Sequence, residues 1–138
     1  MIKKMVYELT VYGETPSKKN SKVYTRGGRF IPSAAFREWH QGALIDLAVQ
    51  KKRMGADRPE QIDRPVSVRM TFYHGNNVRR DSDNQASSIM DLLQDARILK
   101  DDCWQIVREI TIINRFDKGH ARCKIVIMTI DTEAAECQ

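Results

Sequence analysis

Across residues 66–73 apolar and polar side chains alternate without interruption. Val66, Val68, Met70 and Phe72 fall on one side, and Ser67, Arg69, Thr71 and Tyr73 on the other. A period of two belongs to a β-strand with one face buried, so the chain must build a sheet covered on at least one side. The cover is written close by. Over residues 84–96 the apolar positions Ala86, Ile89, Met90, Leu93 and Ala96 line one face of a helix. A half-buried strand followed by an amphipathic helix points to an α+β fold.

The remaining elements fit that scheme. Residues 5–12 alternate as a strand with Met5, Tyr7, Leu9 and Val11 on one face, and a polar loop around Pro16 follows. Residues 22–31 carry Tyr24 and Phe30 on either side of Arg26-Gly27-Gly28-Arg29, the pattern of a short hairpin. Ser33 is positioned to cap a long helix whose buried stripe is Phe36, Trp39, His40, Ala43, Leu44 and Leu47. That helix should fade through Lys51-Lys52-Arg53 and stop near Gly55. A polar linker covers residues 56–64. Two further strands are expected at 105–113 and 122–130, and apolar residues on both faces of the last suggest a covered central strand. There is no internal repeat. One domain is expected over residues 1–138, with residues 131–138 as a frayed tail.

Composition narrows the function classes. The 138 residues are 41% hydrophobic and 30% charged, as in folded proteins rather than disordered ones. No apolar run approaches the roughly 20 residues needed to span a bilayer. Met1-Ile2-Lys3-Lys4-Met5 lacks the apolar core of a secretory signal, so a cytoplasmic protein with no membrane partner is expected. Cys103, Cys123 and Cys137 form no C-x-x-C, which argues against a disulfide scaffold or zinc ribbon. His40, His74 and His120 lack metal-ligand spacing and read as idle. The net charge of +5 is unevenly placed: residues 1–80 hold 16 Lys+Arg against 7 Asp+Glu, whereas residues 81–138 hold 7 against 11. A basic first part suits an anionic polymer.

The acidic and basic parts meet at Arg79-Arg80-Asp81-Ser82-Asp83-Asn84, and Asp101-Asp102 follows beyond the helix. Guanidinium forks grip phosphates, and clustered carboxylates hold Mg²⁺ through oxygen. Together they are what a metal-dependent nuclease needs. Asp81 and Asp83, two apart where a strand gives way to a helix, can face one cation. Asp83 also has an ordinary reading as the helix N-cap. A calcium loop is excluded, because Gln85 and Ala86 stand at its ligand and glycine positions and Leu92 at its closing acid. Asp101-Asp102 has an ordinary reading as a solvated loop. A helix over residues 84–96 is roughly 20 Å long, so Asp102 reaches Asp81 and Asp83 only if residues 97–102 run back along it or if two copies share the site. We favour the shared site. The expected metal ligands and catalytic residues are Asp81, Asp83 and Asp102, holding one or two Mg²⁺ ions, with Mn²⁺ as the alternative. Arg79 and Arg80 are expected on DNA phosphates, and Asp101 as an accessory that orients a water.

This ordering resembles the RusA family of Holliday junction resolvases. The resemblance rests on Arg80-Asp81-Ser82-Asp83-Asn84, then a helix with Met90-Asp91-Leu92-Leu93, then Leu99-Lys100-Asp101-Asp102. It implies a mixed sheet packed with two main helices, an intertwined homodimer, and Mg²⁺-dependent cutting of four-way DNA junctions in recombination and repair. It also places Asp81, Asp83 and Asp102 at the family's three essential aspartates. Pro16-Ser17-Lys18-Lys19-Asn20 resembles the family's early loop, which assigns Lys18, Lys19 and Asn20 to DNA. At the position of the family's catalytic lysine this chain has Ser87. A hydroxyl hydrogen-bonds a phosphate or water but carries no charge, so Lys18, Lys19 or Lys100 is expected to supply it, Lys19 first. The competing readings are a non-catalytic branched-DNA binder and a less selective branched-DNA nuclease.

Overall fold

The computed structural model describes residues 2–17, 22–55 and 61–131. In chain order it contains β1 (Ile2–Tyr12), β2 (Lys22–Tyr24), β3 (Phe30–Pro32), α1 (Ala34–Arg53), β4 (Val66–His74), α2 (Ser82–Asp95), β5 (Val107–Phe116) and β6 (Arg122–Asp131). Four strands form one mixed sheet in the order β1-β6-β4-β5, and β2 and β3 pair as a separate ribbon. Only β4 and β5 run parallel, and the helix between them, α2, makes the crossover that parallel neighbours require. The α+β class and the two main helices agree with the sequence pattern.

The alternation in β4 does what it promises. Val66, Val68, Met70 and Phe72 are all essentially inaccessible. On β6 their partners Ile127, Ile125 and Cys123 face Val68, Met70 and Phe72 in antiparallel register, and each is likewise buried. Ile89, Leu92 and Leu93 of α2 and Ala43 and Leu47 of α1 complete this core. Each large side chain so buried contributes about 1.5–3 kcal/mol. β6 is central in strand order, as expected, but it is fully covered on one face only, since Val126 and Met128 are half-buried.

Three expectations need correction. Met5 does not share a face with Tyr7, because a bulge between Met5 and Tyr7 shifts the register and turns Met5 outward while Val6 goes in. An extra residue in one strand reverses every side chain before it. The helix expected at 84–96 begins at Ser82, so the N-cap position belongs to Asp81 rather than Asp83, and Asp81 makes no side-chain capping bond. The strand expected at 105–113 runs from Val107 to Phe116, because Ile106 and Val107 first close a turn on the Cys103 carbonyl.

α1 begins where Ser33 Oγ accepts the Phe36 amide at 3.1 Å. It ends at Arg53, with Gly55 in the left-handed region at φ +80°. Of the expected stripe, Phe36, Ala43 and Leu47 are buried, while Trp39, His40 and Leu44 are half-buried. Gln50 reaches from α1 to β1, an edge strand, and matches both backbone groups of Thr10 at 2.9 and 2.8 Å. A polar edge is thereby closed.

Candidate active site

β4 delivers the chain to His74, and the segment that follows is shaped by its own side chains. Asn76 Oδ1 accepts from the Val78 amide at 3.2 Å and from Arg80 Nη1 at 2.9 Å. Arg80 Nη1 also donates to the Val78 carbonyl at 3.0 Å. This Asx-type turn holds Arg80 in place, while Arg79 stands exposed. Asp81 is extended, at φ −93° and ψ 120°, and Asp83 lies in the first turn of α2. Both carboxylates are exposed, at the end of the helix where its dipole favours negative charge. Among the described residues neither is taken up by an ion pair. Exposed carboxylates are hard-oxygen donors that suit Mg²⁺, which keeps several waters and needs only one or two of them.

Asp81, Arg79 and Arg80 border a cleft of about 460 Å³ whose other lining includes Glu14, Thr15, Pro16, Ser17 and Gln85. Residues 14–17 of the loop after β1 thus line the same cleft as the motif. Lys18, Lys19 and Asn20 lie outside the described residues. Ser87 is exposed on α2, four residues after Asp83 and so on the same side of the helix.

Asp101 and Asp102 are also exposed, and Asp101 Oδ1 accepts the Asp102 amide at 2.7 Å. They sit beyond the far end of α2. There Leu99 bridges to Ile62, and Lys100 donates its amide to the Ile62 carbonyl at 2.9 Å. These bonds pin the segment near the helix C-terminus instead of letting it run back along the helix. Among the described residues no three of His, Cys, Asp and Glu lie close enough to hold one ion. Within a single copy, Asp102 does not join Asp81 and Asp83.

What the sequence did not reveal is a polar network centred on Glu14. Its two carboxylate oxygens each lie 3.1 Å from His74 Nδ1. Arg80 Nη1 is 3.5 Å from Oε1, and Gln85 Nε2 donates to Oε2 at 2.8 Å. Gln85 Nε2 also donates to the Thr15 carbonyl at 2.7 Å. Ser88 Oγ donates to the Pro16 carbonyl at 2.7 Å, a second tie between the loop and α2. The network continues through Asn114, which meets His74 Nε2 at 2.8 Å and donates to Ser82 Oγ at 3.0 Å. His74 is therefore no idle histidine. Beneath the network, burial pushes the Cys123 thiol well above its ordinary range, and the Glu14 charge adds to the shift. Two buried atoms beside the cleft, Thr15 Oγ1 and Gln85 Oε1, have no hydrogen-bond partner among the described residues.

A strand-to-helix turn that presents exposed carboxylates beside arginines has the residue types a nuclease uses, and comparison with known families names the class. Residues 13–128 match the family described as Endodeoxyribonuclease RusA, so the chain belongs to the RusA family of endodeoxyribonucleases, which are hydrolases. Among curated proteins it is similar to the crossover junction endodeoxyribonuclease RusA of Aquifex aeolicus (strain VF5), with 26% identity over 102 residues. That match covers 74% of this chain and 75% of the Aquifex protein. No helix among the described residues is long and apolar enough to cross a membrane.

Proposed function

We propose that this chain is a Mg²⁺-dependent resolvase that cuts four-way DNA junctions as a homodimer, with each site completed across the dimer. The observation that carries this reading is an exposed carboxylate, Asp81, bordering a cleft with Arg79 and Arg80, with a second exposed carboxylate, Asp83, two residues on, neither in an ion pair among the described residues. Family membership supports the endonuclease chemistry, and the name of the Aquifex relative supports the junction substrate.

In this mechanism Asp81 and Asp83 of one copy and Asp102 of the other would be the residues that hold the ion. The bound ion supplies charge neutralisation at the reacting phosphate and activation of the attacking water. Arg79 and Arg80 grip neighbouring phosphates and fix the strand in the cleft. Ser87 faces the same end of α2 with a neutral hydrogen-bonding group. Two equivalent sites related by a two-fold axis can cut two symmetry-related strands, which is what a four-way junction presents.

The test is a labelled synthetic junction and a matched linear duplex, each with and without Mg²⁺, with Asp83→Asn as control. Paired symmetric cuts in the junction alone, absent from the control, are expected. Mixing Asp81→Asn and Asp102→Asn proteins should restore cutting in the heterodimers, since each carries one intact shared site. If mixtures stay inactive, the site is not shared. A second reading has one specific observation behind it: Ser87 removes a charge that the family resemblance leads one to expect. It makes the chain a branched-DNA binder that holds junctions and cuts none, in EDTA or in Mg²⁺.

A further inference from the structure

Glu14 is out of place in a cleft that receives phosphate. A carboxylate there repels the substrate, yet this one is only 23% exposed and draws in donors from three separate elements. His74 closes β4, Arg80 precedes the carboxylate turn, and Gln85 lies in the opening turns of α2. All three are 60 or more residues away in sequence. Glu14 also follows Gly13, whose φ of +87° bends the chain into the cleft and whose amide is anchored on the Ala121 carbonyl at 2.9 Å. The carboxylate is thus fixed on its own side and grips the strand-to-helix turn on the other.

We propose that Glu14 is a positioning residue for cleavage: it holds Arg80 and the start of α2 in the geometry the cut requires, while opposing DNA binding by its charge. This inference rests on the nuclease reading of the same cleft. Arg80 is bound on three sides, by Asn76, by the Val78 carbonyl and by Glu14. Of these only Glu14 carries charge. Without it the guanidinium is free to follow the nearest phosphate, and Asp81, the next residue, loses its fixed neighbour. Gln85 transmits the same restraint to α2, on which Asp83 is carried.

Two opposite effects then separate positioning from mere support of the fold. In Glu14→Gln, junction affinity measured in EDTA should equal or exceed wild type, because a repelling charge is gone. The single-turnover cleavage rate in Mg²⁺ at saturating protein should fall roughly 10- to 100-fold, as misplacement on the ångström scale does. Thermal unfolding of the variant confirms that it is folded. In an Arg80→Ala background the same substitution should add little further loss, since the two residues act as a unit. Wild-type cleavage with an unimpaired Glu14→Gln protein would overturn the Glu14 assignment alone. So would a variant in which affinity and rate fall together with the unfolding temperature. A wild-type protein that cuts no DNA would overturn the parent reading, and this inference with it.

Discussion

Gln85→Glu changes one atom group and should cost the protein most of the stability a point substitution ordinarily can. The side chain is 2% exposed, with Nε2 placed 2.8 Å from a Glu14 oxygen and 2.7 Å from the Thr15 carbonyl. Replacing the amide by an isosteric carboxyl creates no cavity, but it sets oxygen against oxygen at both contacts. The fold can relieve only one of these contacts, and only if the introduced carboxyl keeps a proton that bridges to it. In the unfolded chain a glutamate titrates near 4.3, and each pH unit above that is worth about 1.4 kcal/mol. The sign follows from linkage: above that pH the folded state binds the extra proton, so stability falls as pH rises. The penalty should be about 1 kcal/mol at pH 5 and grow to about 3–4 kcal/mol at pH 7. Urea unfolding of wild type and variant at both pH values measures it directly. An equal penalty at the two pH values, or none, would show that the Gln85 amide does not face the Glu14 carboxylate, and the network built on it would go.

Further outcomes concern Cys123 and Arg79. Cys123 is buried with its thiol held well above the ordinary range, so it should resist iodoacetamide at pH 8 in the native protein and react in urea, as read by peptide mass. Because the folded thiol keeps its proton where the unfolded one loses it, Cys123 should also make stability decline as pH rises beyond about 8.5, and Cys123→Ala should flatten that decline. Arg79→Ala, which removes an exposed cation bordering the cleft, should weaken junction binding and reduce the slope of log affinity against log salt by about one unit per site. An unchanged slope removes Arg79 from the DNA interface.

The fold was legible where local chemistry decides structure. The Val66-to-Tyr73 alternation, the Ser33 cap and the Gly55 stop each depend on neighbours within a few residues, and each is found where the pattern put it. Met5 failed because a bulge is a tertiary adjustment of β1 to β6, invisible in a strand that alternates well by itself. The candidate cleft was partly legible for the same local reason: three of the residues that border it, Arg79, Arg80 and Asp81, are adjacent in sequence. Glu14, His74, Gln85 and Asn114 were not legible, because nothing in their own neighbourhoods marks them. Their roles arise from strand order, which sets the end of β1 near the end of β4 through β6, and the end of β5 beside β4.

That same topology bears on the missing lysine. If the chemistry needs a cation near Ser87, a residue of α2 cannot supply it within a turn, since the helix carries none from Ser82 to Asp95. The cation must come from an element packed against the start of α2. The loop after β1 is one such element: Ser88 and Gln85 both bind its backbone, at Pro16 and Thr15. Lys18 and Lys19 follow within three or four residues of those anchors in sequence. Lys19→Ala should therefore lower the cleavage rate in Mg²⁺, and restoring the charge by Ser87→Lys in that background should recover part of it. Full cleavage by Lys19→Ala would exclude that lysine, and recovery by Ser87→Lys would show that the site wants a cation whichever element carries it.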